Sequence, residues 1–288
     1  MVGALIINKP VGLTSRDVIN KLNRLLETKE IGHIGTLDPM ATGVLVCLIG
    51  RAVKLSNILI NHDKEYIASF KLGILTDTLD TEGKVLKEES VELDETKIEE
   101  AINSFKGTYL QEVPIYSAVK VNGKKLYEYA RNNEEVTLPK KMVTIHDISL
   151  KSIKEGIITI KVRVSKGTYI RSLIRDIGER LGTCATMTDL VRSKLGDYYI
   201  EDAIELEEVI NNIDKIVSVN ELLKEYPHEE IDAQMLYRVG HGQILDRQIE
   251  DYILFTSKNE PIALYQKYHE DETKIKPAVM FYINNKEV

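Results

Sequence analysis

One short loop of the chain combines a carboxylate with residue types that hold a loop rigid. Residues 32–43, GHIGTLDPMATG, contain three glycines, one proline and two threonines, and Asp38 is the only acidic residue among them. Pro39 restricts the backbone just after Asp38 and favours an extended conformation for Asp38 itself. Reactive groups often lie on loops that rigid elements position, and a carboxylate held in this way can act as a nucleophile or a base.

The local pattern leaves two other interpretations of this loop open. Asp38 can instead accept hydrogen bonds from backbone amides in an ordinary turn, and the loop taken alone favours this interpretation. Backbone amides can also cradle a phosphate. The loop lacks the GK[ST] ending of a P-loop and the GxGxxG spacing of a dinucleotide site, so the phosphate interpretation ranks lowest.

A second segment places cations and an aromatic ring where a strand meets a helix. This segment is SKGTYIRSLIRDIG, residues 165–178. Lys166, Tyr169 and Arg171 lie at the expected start of the helix, where cations and unpaired amides suit a phosphate or a carboxylate. The segment therefore indicates an anion-binding junction.

Two further residues have competing interpretations. Tyr66 lies in the alternating segment 63–73 and can present its ring to a nucleobase. A strand tyrosine more often packs in the core, and the pattern alone favours that fate. For Arg175, one helical turn after the anion-binding junction, we expect pairing with Asp176 or Glu179 on a solvated surface.

The histidines and cysteines form no metal-binding pattern. No two of the six histidines have HxxxH spacing, and Cys47 and Cys184 lie 137 positions apart. No GxSxG elbow is present either. We therefore expect no metal ion. His33 lies in the loop around Asp38, where a histidine is more often structural or exposed than catalytic.

Apolar spacing predicts the elements that must position these residues. A strand at residues 4–8 precedes a helix that starts at Thr14, with Asp17 as its capping-box partner. The other expected elements are a buried strand over 43–50, helices over 52–60, 95–105 and 169–181, an Asn122–Gly123 turn, and a hairpin over 142–165. We expect an α+β fold, with a mixed or antiparallel sheet and flanking helices.

The composition changes towards the C-terminus. Residues 1–200 hold 29 Lys and Arg against 26 Asp and Glu, a net charge of +3, whereas residues 201–288 hold 9 against 19, a net charge of −10. Acidic helices precede Pro227 and short strands follow it. We expect a boundary at residue 228, between a large domain over 1–228 and a small, mostly β domain over 229–288.

Bulk composition favours a cytoplasmic protein. The 288 residues are 43% hydrophobic, contain two cysteines, and include no apolar run of membrane-spanning length. No basic segment precedes the first strand, so we expect no secretory signal. The net charge of −7 by itself favours a small-molecule enzyme. RNA affinity depends on the local field, however, so the charge does not exclude RNA.

Five segments, in order, resemble the motifs of the TruB family of tRNA pseudouridine-55 synthases. They are LIINKPVGLTSRDVI, GHIGTLDPMATGVL, DKEYIASFKLGILTDTLDTEG, VPIYSAVKVNGKKLYEYAR and SKGTYIRSLIRDIGERLG, and the resemblance covers about residues 3–196. Five motifs in sequence are specific, and they reverse the interpretations favoured above for Asp38 and Tyr66. Departures occur at Asn8, Ile34 and Val191, where the family often has Asp, Thr and Arg, and none removes a catalytic group.

The resemblance implies a role for each matched residue. Asp38 matches the catalytic aspartate. The residues implied to bind the target nucleotide are Tyr66, Tyr169, Arg171, Leu190 and His33, with His33 filling the space that the base leaves. Tentative contacts to the RNA backbone are Lys9, Lys120, Lys124, Lys125, Arg131 and Lys166. An RNA-gripping insertion is implied at about residues 107–142, and the C-terminal domain resembles a PUA-like RNA-binding module only loosely.

The implied reaction is the isomerisation of uridine 55 in the tRNA T-loop, without a cofactor. The implied partner is tRNA alone, bound by a monomer with no guide RNA and no membrane. One alternative is a non-catalytic tRNA-binding or chaperone protein on the same fold, and another is a guide-RNA-dependent synthase. A third is a glycoside hydrolase, which would need Asp77 or Asp80 as a second acid.

Overall fold

The computed structural model describes residues 1–282. The strands are β1 Gly3–Lys9, β2 Ile31–Ile34, β3 Thr42–Ile49, β4 Lys64–Leu72, β5 Ile74–Thr76, β6 Val85–Glu88, β7 Gly107–Glu112, β8 Lys120–Val121, β9 Lys124–Lys125, β10 Lys140–Lys154, β11 Ile157–Val164, β12 Ala185–Leu195, β13 Tyr198–Tyr199, β14 Ile204–Glu205, β15 His228–Glu230, β16 Leu245–Asp246, β17 Tyr252–Ser257, β18 Glu260–Lys267 and β19 Lys274–Met280. The α-helices are α1 Ser15–Leu25, α2 Ser56–Leu59, α3 Glu95–Asn103, α4 Leu126–Arg131, α5 Ile170–Arg180, α6 Val219–Leu222 and α7 Ala233–Gly240.

A ten-stranded mixed sheet organises the larger part of the molecule. Its strands follow the order β14-β1-β3-β12-β4-β11-β10-β7, with β2 paired to β3 and β13 paired to β12. Neighbours are antiparallel except at β1–β14 and β3–β12. The predicted α+β class with a mixed or antiparallel sheet is confirmed.

Two helices flank this sheet where the sequence predicts them. Thr14 caps α1: its hydroxyl accepts from the Asp17 amide at 3.0 Å, and the Asp17 carboxylate accepts from the Thr14 amide at 2.9 Å. Helix α5 begins directly after Tyr169 and buries Leu173, Ile174 and Ile177 in the main core cluster. The amphipathic spacing therefore identifies both the helices and their buried faces.

Other predicted elements hold with shifted ends. The hairpin is formed by β10 and β11, and the Asn122–Gly123 turn joins β8 to β9 with positive φ at both residues. The helix expected over 52–60 is instead a 3-10 segment, Gly50–Leu55, followed by the single turn α2. Its start has no side-chain cap, so nothing favours a regular α-helix there.

A second sheet forms the C-terminal part, in the order β15-β17-β18-β19-β16. Its inner side chains Leu254, Leu264 and Val279 share one buried cluster with residues of β1 and β3. The small β-rich unit is confirmed as a feature of the fold, and the boundary at residue 228 stays a prediction. The last of the short strands expected after Pro227 is AVMFYIN, residues 278–284, and its residues 283 and 284 lie outside the described part of the chain.

Within residues 1–282, no helix combines the length and the apolar character that a membrane span needs.

Candidate active site

The loop that carries Asp38 is held on both sides of the carboxylate. The Ser15 hydroxyl accepts from the Leu37 amide at 2.9 Å and donates to the Leu37 carbonyl at 3.2 Å. The Gly12 amide donates to the Pro39 carbonyl at 2.8 Å. Leu37 is also buried in the core cluster. The first motif of the chain thus positions the loop, and Asp38 is left half-buried between fixed neighbours.

Lys9 supports the same loop from the interior. Its side chain is fully buried, and its Nζ donates to the carbonyls of Pro10, Leu13 and Pro39 at 2.8, 2.6 and 3.2 Å. Burial lowers the pKa of Lys9 to about 8. Three carbonyls occupy the buried ammonium group in this structure, and the expected contact between Lys9 and the RNA backbone stays a prediction.

Asp38 pairs with Arg171, as the sequence suggests for an anion at this junction. Arg171 Nη2 lies 3.0 Å from Asp38 Oδ2, and its Nη1 lies 3.5 Å from Asp80 Oδ2. The guanidinium also donates to the carbonyls of Thr78 at 2.8 Å and Tyr116 at 3.1 Å. Four partners therefore fix one buried arginine beside the half-buried carboxylate.

The sequence suggests Asp80 only as the second acid of a glycoside hydrolase. It does not predict the contact between Asp80 and Arg171. Its Oδ1 accepts from the Thr78 hydroxyl at 2.6 Å and from the Glu82 amide at 3.1 Å. The Asp80 carboxylate is therefore held by hydrogen bonds within its own acidic loop and by the contact with Arg171. The only sequence signal was a Thr- and Asp-rich turn, which is ambiguous without its contact to α5.

A cleft of about 700 Å³ opens above this ion pair. It brings together five of the six residues that the resemblance implies for catalysis or for binding of the target nucleotide: Asp38, Tyr66, Tyr169, Arg171 and Leu190. Tyr66 lies on β4 and Leu190 on the neighbouring β12, so adjacent strands supply two walls. Burial raises the pKa of Tyr169, which keeps its hydroxyl protonated at neutral pH.

Four cations are among the residues that line the cleft: Lys64, Lys141, Lys166 and Arg192. Lys166 donates to the side-chain oxygen of Asn61 at 2.5 Å. Burial, followed by repulsion from Arg192, lowers the pKa of Lys64 to about 8. The lining therefore carries positive charge, although Lys64 and Arg192 are themselves buried.

Arg192 is the second residue that sequence reasoning missed. It is fully buried, and it donates from Nε to the Val44 carbonyl at 2.7 Å and from Nη2 to the Gly35 carbonyl at 2.9 Å. These two carbonyls lie on either side of the Asp38 loop. Its Nη1 is buried with no hydrogen-bond partner among the described residues. The sequence signal for Arg192 was the presence of a charged residue inside the long strand β12.

His33 does not reach the cleft wall in this structure. It lies on β2 opposite Cys47, and burial lowers the pKa of its imidazole. Its Nδ1 is buried without a hydrogen-bond partner in the described chain. The lowered pKa favours the neutral form of the ring at neutral pH.

Four basic residues of the insertion that were expected to contact the RNA backbone do not line the cleft. Lys124 Nζ lies 2.6 Å from a Glu134 carboxylate oxygen and 4.7 Å from the centre of the Tyr129 ring. Lys125 and Arg131 both approach the Tyr127 ring. Lys120 is exposed on β8. The insertion contributes residues 116–118, Lys141 and Met142 to the cleft lining instead.

Arg175 has the partners that the sequence predicts, but it does not lie on a solvated surface, because its side chain is only 16% exposed. It pairs with Asp176 at 2.7 Å and Glu179 at 3.8 Å, and also with Glu112 at 3.2 Å. Its guanidinium is therefore neutralised on α5, away from Asp38.

Comparison with known proteins identifies the family. Residues 23–170 match the family model described as "TruB family pseudouridylate synthase (N terminal domain)", and residues 171–251 match "tRNA pseudouridylate synthase B C-terminal domain". The chain belongs to the TruB family of pseudouridylate synthases. The membership also confirms the enzyme class: the chain is a pseudouridine synthase of the TruB type.

Several TruB-family relatives align over most of their length. The chain is 39% identical to a tRNA pseudouridine synthase B of Mesoplasma florum, with 95% of this chain and 96% of the relative covered. It is 40% identical to the protein of that name from Clostridium tetani, with 93% of each covered. Identity rises to 49% with the Fusobacterium nucleatum protein, over 70% of each chain.

A solved structure shares the TruB-type fold. A chain in the crystal structure of a Cbf5–Nop10–Gar1 complex superposes with a TM-score of 0.74 at 23% identity, covering 98% of this chain and 86% of the other. At this identity the likeness concerns the fold alone.

Proposed function

We propose that this enzyme converts uridine 55 in the T-loop of tRNA to pseudouridine, without a cofactor, and that Asp38 carries the reaction. The observation that carries the proposal is the ion pair of Asp38 with buried Arg171 at 3.0 Å, at the floor of a cleft that Tyr66, Tyr169 and Leu190 line. The tRNA substrate comes from the names of the relatives.

The reaction exchanges one bond of the ribose for another. The bond from the anomeric carbon to N1 of uracil breaks, a bond from the same carbon to C5 forms, C5 loses a proton and N1 gains one. Asp38 can attack the anomeric carbon or the base ring, or act as a base on the ribose. Each route needs a carboxylate in a fixed position, which the contact with Arg171 and the hydrogen-bonded loop supply.

The remaining cleft residues suit a flat, neutral base. Tyr66 and Leu190 offer an aromatic ring and an apolar side chain from neighbouring strands. Aromatic stacking favours a base that has left its own stack, and a stacked uracil hides its reacting atoms. Tyr169 keeps its hydroxyl protonated and can donate a hydrogen bond beneath the base or assist proton movement at C5.

The cations of the cleft lining suit the phosphates beside the target nucleotide. Lys64, Lys141, Lys166 and Arg192 line the cleft, and none of them forms an ion pair with a carboxylate within residues 1–282. We propose that the sugar–phosphate backbone lies against these cations while the base lies near Asp38. The exposed lysines of the insertion would contact backbone further along the RNA. His33 would support the vacated T-loop space after a small movement of its loop.

The proposed complex contains one protein chain and one tRNA. A monomer suffices because all the proposed catalytic groups lie in one cleft of one chain. A guide RNA is not proposed, since the family models that match describe enzymes named for tRNA.

The deciding experiment is a tritium-release assay. The purified protein is incubated, without added metal or nucleotide, with an unmodified tRNA transcript that carries tritium at C5 of uridine. We expect tritium release, and carbodiimide mapping should place the modified base at position 55. Tight tRNA binding without release would replace the proposal with a non-catalytic tRNA-binding or chaperone role. Free uracil would indicate a hydrolase.

Asp38→Asn is the matched control for this assay. The substitution keeps the size of the side chain and removes its charge, so we expect no measurable turnover. Affinity for tRNA should stay within about tenfold, because the other cleft contacts remain. Turnover comparable to that of the wild type would remove Asp38 from the mechanism.

A further inference from the structure

The start of α5 is held by a buried side chain from β7. The Tyr169 amide donates to Gln111 Oε1 at 2.8 Å, and Gln111 Nε2 donates to the Tyr169 carbonyl at 3.1 Å. Gln111 is 1% exposed. A backbone amide can only donate, so the orientation of the Gln111 amide group is determined by this pair. One side chain therefore pairs with both backbone polar groups of a residue in the cleft wall.

The pairing with Gln111 supplies hydrogen bonds that no side chain at the start of α5 provides. Tyr169 is the N-cap of α5, and its own side chain makes no capping hydrogen bond. Helix starts leave amides without partners, and a cap normally supplies them. Gln111 pairs with the N-cap residue from outside the helix. It thereby determines the plane of the peptide and the direction in which the Tyr169 side chain leaves the backbone.

A short chain of hydrogen bonds holds Gln111 in turn. Its Nε2 also donates to the Tyr109 hydroxyl at 2.6 Å, and that hydroxyl donates to Asp176 at 3.2 Å. Burial and the nearby Asp176 raise the pKa of Tyr109, so it stays a donor. Both Nε2 hydrogens and the Oε1 acceptor are used, which leaves the amide no alternative position.

We propose that Gln111 is a positioning residue for the reaction, which sets the Tyr169 ring, and through the start of α5 the Arg171 guanidinium, against Asp38. The inference rests on the proposed function, because turnover is its main readout. A group misplaced by about 1 Å can cost about a hundredfold in rate. The loss should fall on kcat, since Gln111 does not line the cleft.

The first test compares Gln111→Met with Ser172→Ala. Both remove buried hydrogen bonds between β7 and α5, because the Ser172 hydroxyl donates to the Glu112 carbonyl at 2.8 Å. We expect Gln111→Met to lower kcat by about tenfold to a hundredfold with KM within about threefold. Ser172→Ala should keep kcat within about threefold. An equal loss in both variants would overturn the proposal, since docking of α5 as a whole would then be responsible.

The second test uses Gln111→Glu, which keeps the acceptor and restores a donor only when protonated. The titratable or charged groups around position 111 are Tyr109 on β7, Lys141 opposite on β10, and Tyr169, Arg171, Arg175 and Asp176 of the α5 region. Burial and Asp176 favour the protonated acid, and Lys141 opposes them. At low pH, the protonated acid at position 111 donates to the Tyr169 carbonyl. At higher pH, a carboxylate that has no proton to donate faces the same carbonyl.

The expected readout is the ratio of kcat for Gln111→Glu to kcat for the wild type, from about pH 5 to about pH 9. We expect this ratio to fall as the pH rises, while the ratio for Gln111→Met stays flat. A ratio for Gln111→Glu that is low and flat would overturn the proposal, as would full kcat in Gln111→Met. An inactive wild type would instead contradict the proposed function, so the two failures are distinguishable.

Discussion

At the scale of single residues, Arg171 is shared between two carboxylates. One is half-buried Asp38 at 3.0 Å, and the other is buried Asp80 at 3.5 Å. A buried arginine needs a negative partner, and Asp80 remains one if Asp38 engages the substrate as proposed. In the proposed reaction, the pairing therefore lets Asp38 react without leaving an isolated buried charge.

This arrangement predicts that Asp80→Asn lowers kcat by about tenfold or more. Arg171 would lose the partner that fixes its Nη1, and its hold on Asp38 would loosen. KM for tRNA should stay within about threefold, because Asp80 lies behind the arginine. Tritium release at several tRNA concentrations separates the two constants.

Asp77→Asn is the control for Asp80. Asp77 lies in the same loop, but its Oδ1 accepts from the Lys84 amide at 2.8 Å. We expect kcat within about threefold of the wild type for this variant. The same kcat loss in both variants would mean that loop stability matters and the pairing with Arg171 does not.

At the scale of elements, the Asp38 loop is fixed by the strand that follows it and by β12. Gly43 has φ +98°, and a Cβ there would overlap the carbonyl oxygen of Arg192. Arg192 in turn donates to the carbonyls of Gly35 and Val44. The close approach of β3 to β12 therefore sets both ends of the loop.

Gly43→Ala is accordingly predicted to cost about 3 kcal/mol or more of folding free energy. The added methyl group meets backbone, which cannot move without separating the strands. Denaturant unfolding measures the loss. We also expect turnover to fall by more than the loss of folded protein explains, because Asp38 shifts with the loop.

Gly123→Ala supplies the comparison. Gly123 has φ +81° at the β8–β9 turn, and a Cβ there has no neighbour within 4 Å. Only the conformational penalty of about 1–2 kcal/mol is expected, with kcat per folded molecule unchanged. If the two variants lose the same free energy, the contact with Arg192 contributes nothing.

At the scale of the whole molecule, the two sheets share one core. Leu264 of β18 is fully buried in a cluster that includes Ile6 and Val46 of the large sheet. We predict that Leu264→Ala costs about 2–5 kcal/mol and lowers the unfolding midpoint of the entire chain. Circular dichroism and residual turnover after heating should decline together.

The exposed Leu86 on β6 is the control for this prediction. Leu86→Ala should change stability by less than about 0.5 kcal/mol, because Leu86 is 60% exposed. Turnover that survives heating after the C-terminal sheet has melted would show two independent units. The boundary predicted at residue 228 would then also be a folding boundary.

Local sequence was enough for most of the elements, although not for the helix expected over 52–60, and for several of the residues that line the cleft. The capping box of α1, the Asn122–Gly123 turn and the buried face of α5 depend on neighbours within a few residues, so periodicity and turn chemistry predict them. Asp38 was identified by its loop and by motif order. The carboxylate alone was ambiguous, because an aspartate in a turn most often only caps the backbone.

Contacts between distant segments decided the rest. Lys9 looks like a surface cation beside a turn, yet its ammonium group is buried under Pro39, 30 positions later. Asp80 and Arg171 meet across 91 positions, and Gln111 meets Tyr169 across 58. Neither local spacing nor charge encodes such pairs, because they form only when strands and helices pack. The residues of the loop thus predict its proposed chemistry. Tertiary packing decides which other groups hold the loop in place.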